Sequence, residues 1–233
     1  MAGQVPRTKR AETEAPIRRG RPPNERAGEV EARILEAAHR VFLQRGFEGA
    51  SVDEIAAAAR AGKPTIYARF ASKEALFTEV VLRWLRRNSE IDLPVGRASL
   101  ERRLQIVATA VLHKALAPES VDLVRTVVAE ALRFPELSMN ISRLIRAQGT
   151  VAFTRLIGDL AESDEARTLC AFAPERLPDT ARLFLDLVLL PLVLRALFGE
   201  PLAALESEIE AKVQRGIRVL LAASGQPTVW WED

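Results

Sequence analysis

The 233-residue sequence predicts an all-α protein. Apolar side chains recur at i, i+3 and i+4 in most segments, and we find no segment with the alternation of an amphipathic strand. Ser, Gly and Pro residues stand at the ends of these segments, as they do at helix boundaries. The pattern breaks after residue 88, which predicts a unit of short helices at 28–88 and a larger helical bundle at 89–233.

Charge is distributed unevenly along the chain, although the total is only +2. Residues 1–90 carry 17 Lys/Arg and 12 Asp/Glu, whereas the remainder carries 16 and 19. This asymmetry predicts a polyanionic partner for the N-terminal part, with simple solubility as the alternative. The single Cys170 cannot form an internal disulfide, and we expect a cytoplasmic chain with no membrane segment.

Local signals divide the N-terminal unit into helices. The first helix is predicted from Glu29 to Arg45, because Gly46 suits a left-handed C-cap. Ser51-Val-Asp-Glu54 is a capping-box signature, in which the Ser51 hydroxyl and the Glu54 carboxylate each bind a free backbone N–H. A second helix therefore begins at Ser51.

A third, short helix is predicted after a turn at 60–62. Pro64 suits its first turn, because the missing N–H would have had no partner there. The helix is expected to end near Phe70, whose ring would anchor it in the core. Ser72 can cap a fourth helix, which runs to about Asn88 and joins the two domains.

Three short helices with a tight turn between the second and third are the layout of a helix-turn-helix, here over 51–70. In that motif the last helix lies in the major groove of DNA. Hydroxyl and cationic side chains near its start can contact phosphates or base edges. The predicted DNA-contacting residues are Ser51, Lys63, Pro64, Thr65, Tyr67, Arg69 and Lys73.

Three motifs follow one another in the N-terminal unit: Gly46-Phe47, the capped helix at Ser51, and the stretch Lys63-Pro-Thr-Ile-Tyr-Ala-Arg-Phe-Ala-Ser-Lys-Glu-Ala-Leu-Phe77. Their order and spacing resemble those of the TetR/AcrR transcriptional regulators. The resemblance covers about residues 28–88. It implies a homodimer that represses from an operator. Arg60 departs from the pattern by replacing a turn glycine, so either a positive φ there costs about 1 kcal/mol or the turn differs slightly. Pro64 departs by removing one possible backbone donor to phosphate.

The N-terminal 27 residues are predicted to be a disordered arm, because they hold seven basic residues, four prolines and almost no large apolar side chain. Arg18-Arg-Gly-Arg-Pro-Pro23 is similar to the core of an AT-hook. That similarity implies that Arg18, Arg19 and Arg21 lie along a narrow minor groove. A solubilising tail is the alternative.

The bundle is predicted to contain five main helices, with an irregular stretch at 163–178. Asp179–Phe198 is apolar on nearly every side and the next helix carries an apolar stripe, which predicts an isologous dimer seam. Burial within one subunit is the alternative for either helix, but it is difficult for both. The predicted helices are one marked by Leu100 to Val111, then Val121–Phe134, Leu137 to about Leu160, Asp179–Phe198 and Leu202–Ala222.

Within the bundle, Arg125-Thr-Val-Val-Ala-Glu-Ala-Leu-Arg-Phe-Pro-Glu-Leu137 is similar to the AefR-type regulatory domain. The resemblance implies a small, hydrophobic effector bound among the central helices. It also implies a homodimer formed through the last two long helices. Pocket candidates are Trp84, Val107, His113, Val127, Phe134, Phe153 and Phe184, although most of these are expected to be plain core and His113 an interior histidine.

Enzyme classes find little support in the sequence. Glu36-Ala-Ala-His39 has the spacing of a di-iron ligand pair, but such a site needs a second motif and only His113 remains. Cys170 is expected to be an inert thiol, and no cofactor or metal is predicted.

The sequence therefore predicts a ligand-responsive DNA-binding regulator, cytoplasmic and nucleoid-associated when bound to DNA. A small hydrophobic effector would release it as a repressor from a near-palindromic operator. Two alternatives stay open: an architectural DNA-binding protein without a ligand, and a helical small-molecule carrier.

Overall fold

The computed structural model describes residues 23–89, 91 and 98–224, and this part of the chain contains helices and no β-strand. The all-α prediction is confirmed. The helices are α1 Pro23–Gly49, α2 Val52–Ala59, α3 Lys63–Tyr67, α4 Lys73–Ser89, α5 Leu100–Leu116, α6 Pro118–Ala129, α7 Pro135–Ala161, α8 Asp164–Arg167, α9 Leu177–Phe184, α10 Leu190–Leu197 and α11 Leu202–Ser224.

Helix α1 departs from the prediction at both ends. It begins at Pro23 rather than Glu29, so the expected disorder of 1–27 is wrong for its last five residues. Arg18, Arg19 and Arg21 lie outside the described residues. At the other end Gly46 has the positive φ that was predicted, 72°, but its ψ of 176° is extended rather than left-handed helical. The chain therefore leaves the helix axis at Gly46 before α2 begins.

The capping box of α2 is formed only in part. The Glu54 N–H donates to Ser51 Oγ at 3.1 Å, as predicted. The Glu54 carboxylate instead lies 3.4 Å from Arg45 Nε, which ties α2 to the end of α1. At the other end of α2, Arg60 adopts the left-handed conformation with φ 50° and ψ 47°. The strained turn expected from the missing glycine is therefore present.

Replacing Arg60 by glycine is expected to stabilise the protein. A non-glycine residue in the left-handed region costs about 1 kcal/mol, which glycine avoids. For a domain of this size we expect the midpoint of thermal unfolding to rise by about 2 to 4 °C. Arg60→Ala is the matched control, because it removes the same charge and keeps the strained Cβ. An equal gain from both variants would show that charge, not backbone strain, matters here.

The core consists of two clusters of buried apolar side chains. The N-terminal cluster joins α1, α2, α3 and α4, but it also contains Leu123 and Val127 of α6 and Ile141 of α7. The second cluster lies among α5, α7, α9, α10 and α11. Helices α6 and α7 therefore connect the N-terminal unit to the bundle through shared packing.

Several bundle boundaries differ from the sequence predictions. Helix α6 begins at Pro118 and ends at Ala129, rather than spanning Val121–Phe134, and residues 130–134 form a turn. Pro118 and Pro135 each stand in the first turn of a helix, where a missing N–H is tolerated. No helix in the described part of the chain has the length and apolar character needed to cross a membrane.

The helix predicted as Asp179–Phe198 is divided by a π segment, Leu185–Leu189, between α9 and α10. There the Leu190 N–H donates to Leu185 O, an i to i+5 bond. Pro191 follows and cannot donate the bond that the Leu187 carbonyl would receive in a regular helix. A widened turn next to a proline is a common way to relieve that mismatch.

Candidate nucleic-acid interface

The third helix is shorter than predicted. It ends at Tyr67 rather than near Phe70, and residues 68–69 form a turn. Two side chains hold it against the core, since Ile66 is 1% exposed and Phe70 is 7% exposed. Phe70 is therefore buried as predicted. Ile66 was not predicted to anchor the helix, but its side chain is buried more completely than that of Phe70.

The opposite side of α3 faces solvent. Lys63, Pro64 and Arg69 are exposed, and Tyr67 is 45% exposed although it is aromatic. Thr65 is half-buried. The structure thus brings the predicted α3 side chains to one short element whose reverse face is fixed in the core.

Lys63 is paired within the protein. Its Nζ lies 3.0 Å from Asp53 Oδ2 of α2, and both side chains are exposed. The hydrogen bond that Lys63 donates to the Asp53 carboxylate raises the pKa of Lys63 above its ordinary value, so the ammonium stays charged. Asp53 was not singled out as a site residue, although its place in the first turn of α2 is visible in the sequence.

Ser51 and Arg69 are also engaged locally. Ser51 Oγ accepts the Glu54 N–H, which leaves the hydroxyl hydrogen available for another acceptor. The Arg69 guanidinium donates to Thr65 O at 3.3 Å and so lies along the end of α3. Both side chains are exposed.

Lys73 stands apart from the other cations. It is half-buried at the start of α4, and its Nζ donates to Glu48 O at 3.1 Å and Ala50 O at 2.8 Å. The same ammonium lies 4.6 Å from the centre of the Phe47 ring. Lys73 therefore holds the connection between α1 and α2, a role that the sequence did not suggest.

The chain matches two described families along most of its length. Residues 34–80 match the family described as bacterial regulatory proteins, tetR family. Residues 102–226 match the AefR-like transcriptional repressor, C-terminal domain. The second match alone covers more than half of the 233 residues. The chain belongs to the TetR family of transcriptional regulators. It is thus a regulator by family and not an enzyme.

Named relatives agree with this assignment. The chain is 49% identical over 52 residues to the HTH-type transcriptional repressor SCO4008 of Streptomyces coelicolor, covering 22% of this chain and 27% of the relative. It is 43% identical over 62 residues to the HTH-type transcriptional activator FasR of Mycolicibacterium smegmatis, covering 27% and 26%. These matches span about a quarter of each relative's length.

A solved structure is similar over a much longer range. The flavonoid-responsive regulator FrrA is 32% identical, with a TM-score of 0.63, and the similarity covers 87% of this chain and all of FrrA. The TetR-family chain therefore shares both its N-terminal unit and its bundle with a structurally characterised regulator.

Helices α2 and α3 are called the recognition unit here. Beside it, a groove of this TetR-family protein is lined by cations. It lies among α1, α2 and α4 and carries one carboxylate, Glu36, which pairs with Arg87 at 3.7 Å. The groove adds positive charge to the domain that contains α3. Its cationic lining residues are Arg33, Arg40, Arg60 and Arg83.

The pocket candidates of the TetR-family bundle fall into three groups. Val107, Val127, Phe153 and Phe184 are buried, whereas Trp84 and Phe134 are half-buried. Phe153 and Phe184 stack in parallel, with ring centres 5.0 Å apart. His113 is exposed, so its predicted place in the interior is wrong.

The two remaining candidates from the sequence are His39 and Cys170. Burial lowers the pKa of His39, outweighing the opposite effects of Glu36 and Glu119, and its Nε2 is buried without a hydrogen-bond partner. Cys170 Sγ lies 2.9 Å from Ser224 O, which places the thiol against the end of α11.

Proposed function

We propose that this TetR-family regulator binds an operator duplex as a homodimer and is released by a small, hydrophobic effector. The observation that carries the proposal is the construction of α3. Ile66 and Phe70 fix one side in the core, while Lys63 and Tyr67 lie on the solvent side. Such an element is already held in place by the core and can present its solvent side to a major groove.

Each predicted contact has a physical role in this proposal. Lys63 exchanges Asp53 for a phosphate, and Tyr67 offers a hydroxyl and a ring to base edges. Ser51 and Thr65 donate from their hydroxyls, Arg69 contacts a phosphate, and Pro64 packs closely at the start of the helix. Lys73 has a third ammonium hydrogen for a phosphate, but we propose that its main role is to position the turn before α2. Arg18, Arg19 and Arg21 are proposed to follow the adjacent minor groove.

Dimerisation is proposed to use the outer face of α9 and α10. Five large apolar side chains are exposed at helical spacing there, including Phe198 at 85%. Behind this face the Arg195 guanidinium binds both Glu200 and Glu208, which fixes α10 against α11. A rigid, self-complementary apolar face is what a second copy of the chain would cover. The exposed residues are Leu183, Leu187, Leu190, Leu194 and Phe198.

The effector is proposed to be a planar aromatic molecule held near Phe153 and Phe184. Both rings are buried and stack in parallel between α7 and α9, so a planar ligand would enter by parting these helices and packing against one ring. The name of FrrA describes a response to flavonoids, which are compounds of this kind. Binding there would favour a conformation in which α4 has shifted and the two copies of α3 no longer match successive grooves, about 34 to 36 Å apart.

The experiment is selection of genomic fragments by the wild-type chain, followed by affinity measurements on the enriched duplex. The combined change Lys63→Ala and Tyr67→Ala is expected to weaken binding by at least about 100-fold, because each of the two copies loses one phosphate and one base contact. The slope of log K against log salt should decrease by about 1.8, because the dimer loses two phosphate contacts. Binding is followed by fluorescence anisotropy.

Arg155→Ala is the matched control, because it removes an exposed cation of α7 outside the recognition unit. It should leave the affinity unchanged. Equal binding by wild type and double variant would refute the assigned interface. Enrichment of no common sequence would favour the architectural alternative. Release of the duplex by flavonoids added to the assay would support the effector class.

A further inference from the structure

We infer that the turn between α6 and α7, residues 130–134, is a clamp that positions the recognition unit. This inference rests on the proposed function, because its consequence is measured as duplex affinity. The clamp contacts the end of α1 after its bend at Gly46 together with Ala50, residues 46–50, a segment that we call the connection to α2. It does so through three independent interactions. The clamp gives a role to Glu130, Arg133 and Phe134 of the AefR-like segment, which the proposed DNA interface does not use.

The first interaction is a hydrogen bond between domains. Glu130 is only 8% exposed, and its Oε1 accepts the Glu48 N–H at 3.2 Å. The two residues are 82 positions apart in the chain. The same oxygen would lie 3.5 Å from a Cβ added at Gly46, so the carboxylate rests against the bend that ends the helical part of α1. A charged acceptor makes this a strong type of hydrogen bond.

The other two interactions involve neighbouring residues on both sides. The Arg133 guanidinium forms an ion pair with the Glu48 carboxylate. The ring of Phe134 meets the ring of Phe47 edge to face, with centres 5.1 Å apart and an interplanar angle of 82°. Phe47 and Glu48 are thus held through backbone, charge and ring contacts by one short turn.

The connection is held from α4 as well. Lys73 binds the carbonyls of Glu48 and Ala50, so the segment is fixed between α4 and the clamp. Ser51, the N-cap of α2, follows directly. Because α2 leads into α3 through a single tight turn, a shift of the connection displaces the recognition helix. Glu130 and Arg133 are therefore positioning residues for DNA binding, without contacting DNA themselves.

The clamp is also anchored in the bundle. Ser138 Oγ of α7 donates to Val127 O of α6 at 3.1 Å, which fixes the angle between the helices on either side of the turn. The Arg125 guanidinium of α6 donates to Ala196 O of α10. The turn is therefore attached to the helix that we propose as part of the dimer seam.

The test compares Glu130→Ala with Glu130→Gln, which keeps an acceptor oxygen at the same place. On the duplex selected by the wild-type chain, Glu130→Ala is expected to bind about 10-fold more weakly, with an unchanged salt slope because no phosphate contact is lost. Glu130→Gln should stay within about threefold of wild type. Amide hydrogen exchange at 46–50 should become faster in Glu130→Ala alone. Glu136→Ala, the loss of an exposed carboxylate at the start of α7, is the control for charge.

The outcomes separate the two proposals. If the wild-type chain selects no duplex, the proposed function fails, while hydrogen exchange still tests the clamp. If the wild type selects a duplex and Glu130→Ala binds it equally well, the clamp is overturned. Should Glu130→Ala fail to fold, Phe134→Leu keeps apolar volume and removes the ring contact with Phe47. It is expected to lose about three- to fivefold in affinity at constant salt slope, and unchanged affinity would overturn the inference.

Discussion

A chain that carries Leu187→Glu together with Leu194→Glu is expected to be monomeric at micromolar concentration and to lose at least about 100-fold in duplex affinity. Both leucines are exposed on the proposed seam, and an isologous interface would bring four new carboxylates together. Desolvating unpaired carboxylates costs several kcal/mol for each ion. A monomer would also engage only one half-site, which removes the gain from bivalent binding. Sedimentation velocity and anisotropy measure the two effects.

Met139→Glu is the control for this prediction, because it places a carboxylate at another exposed apolar position, near the start of α7. We expect it to stay dimeric and to bind the duplex normally. A double variant that remains dimeric would show that the chain pairs through a different surface. A double variant that is monomeric but binds as tightly as wild type would show that one copy of α3 suffices.

Structural features that depend on residues close together in the sequence were predicted well. The Ser51 hydroxyl and the N–H that it caps are three residues apart, so the start of α2 could be predicted from composition and spacing alone. The positive φ of Gly46 follows in the same way from where α1 must end, whereas the positive φ of Arg60 was expected from the family resemblance, which places a turn glycine there. Lys63 and Tyr67, which were predicted to contact DNA, lie on the exposed side of α3.

Contacts between distant segments could not be predicted. Lys73 was read as a phosphate ligand because it stands at a helix start, but it binds carbonyls 25 and 23 residues away. Those carbonyls become available only because the chain bends at Gly46. The Glu130 carboxylate accepts the Glu48 N–H for the same reason, and the residues around Glu130 do not predict that hydrogen bond.

The error at His113 has a different cause. The stripe from Leu104 through Val107 to Val111 predicted the buried face of α5, but Val111 is only half-buried, whereas Ala108 and Leu112 are buried. The true face is therefore rotated by about one residue, but with 3.6 residues per turn His113 lies about 150° from the predicted stripe and from the observed face alike. The helical period itself thus places His113 toward solvent, and only its apolar neighbours suggested an interior position. An alanine carries too small an apolar signal for the periodicity to fix this rotation.

Gly216→Ala is expected to destabilise the protein by about 3 kcal/mol, the largest stability effect that we predict. Gly216 lies on α11 where that helix crosses the π segment, and a Cβ there would overlap Cγ2 of Val188 and lie 3.8 Å from Phe184 Cε2. Val188 is branched at Cβ and fully packed, so it cannot rotate away freely. The midpoint of thermal unfolding should fall by about 6 to 12 °C, as measured by calorimetry.

Two further variants test whether the overlap is the cause. Gly158→Ala on α7, where a Cβ would meet nothing within 4 Å, should instead stabilise by about 0.5 to 1 kcal/mol through helix propensity. Val188→Ala removes the overlapping methyl groups, so Gly216→Ala with Val188→Ala should be more stable than Gly216→Ala alone. Additive losses would show that the helices do not meet at these residues. Rescue would show that the missing Cβ of Gly216 lets α11 pack against Val188 of the π segment.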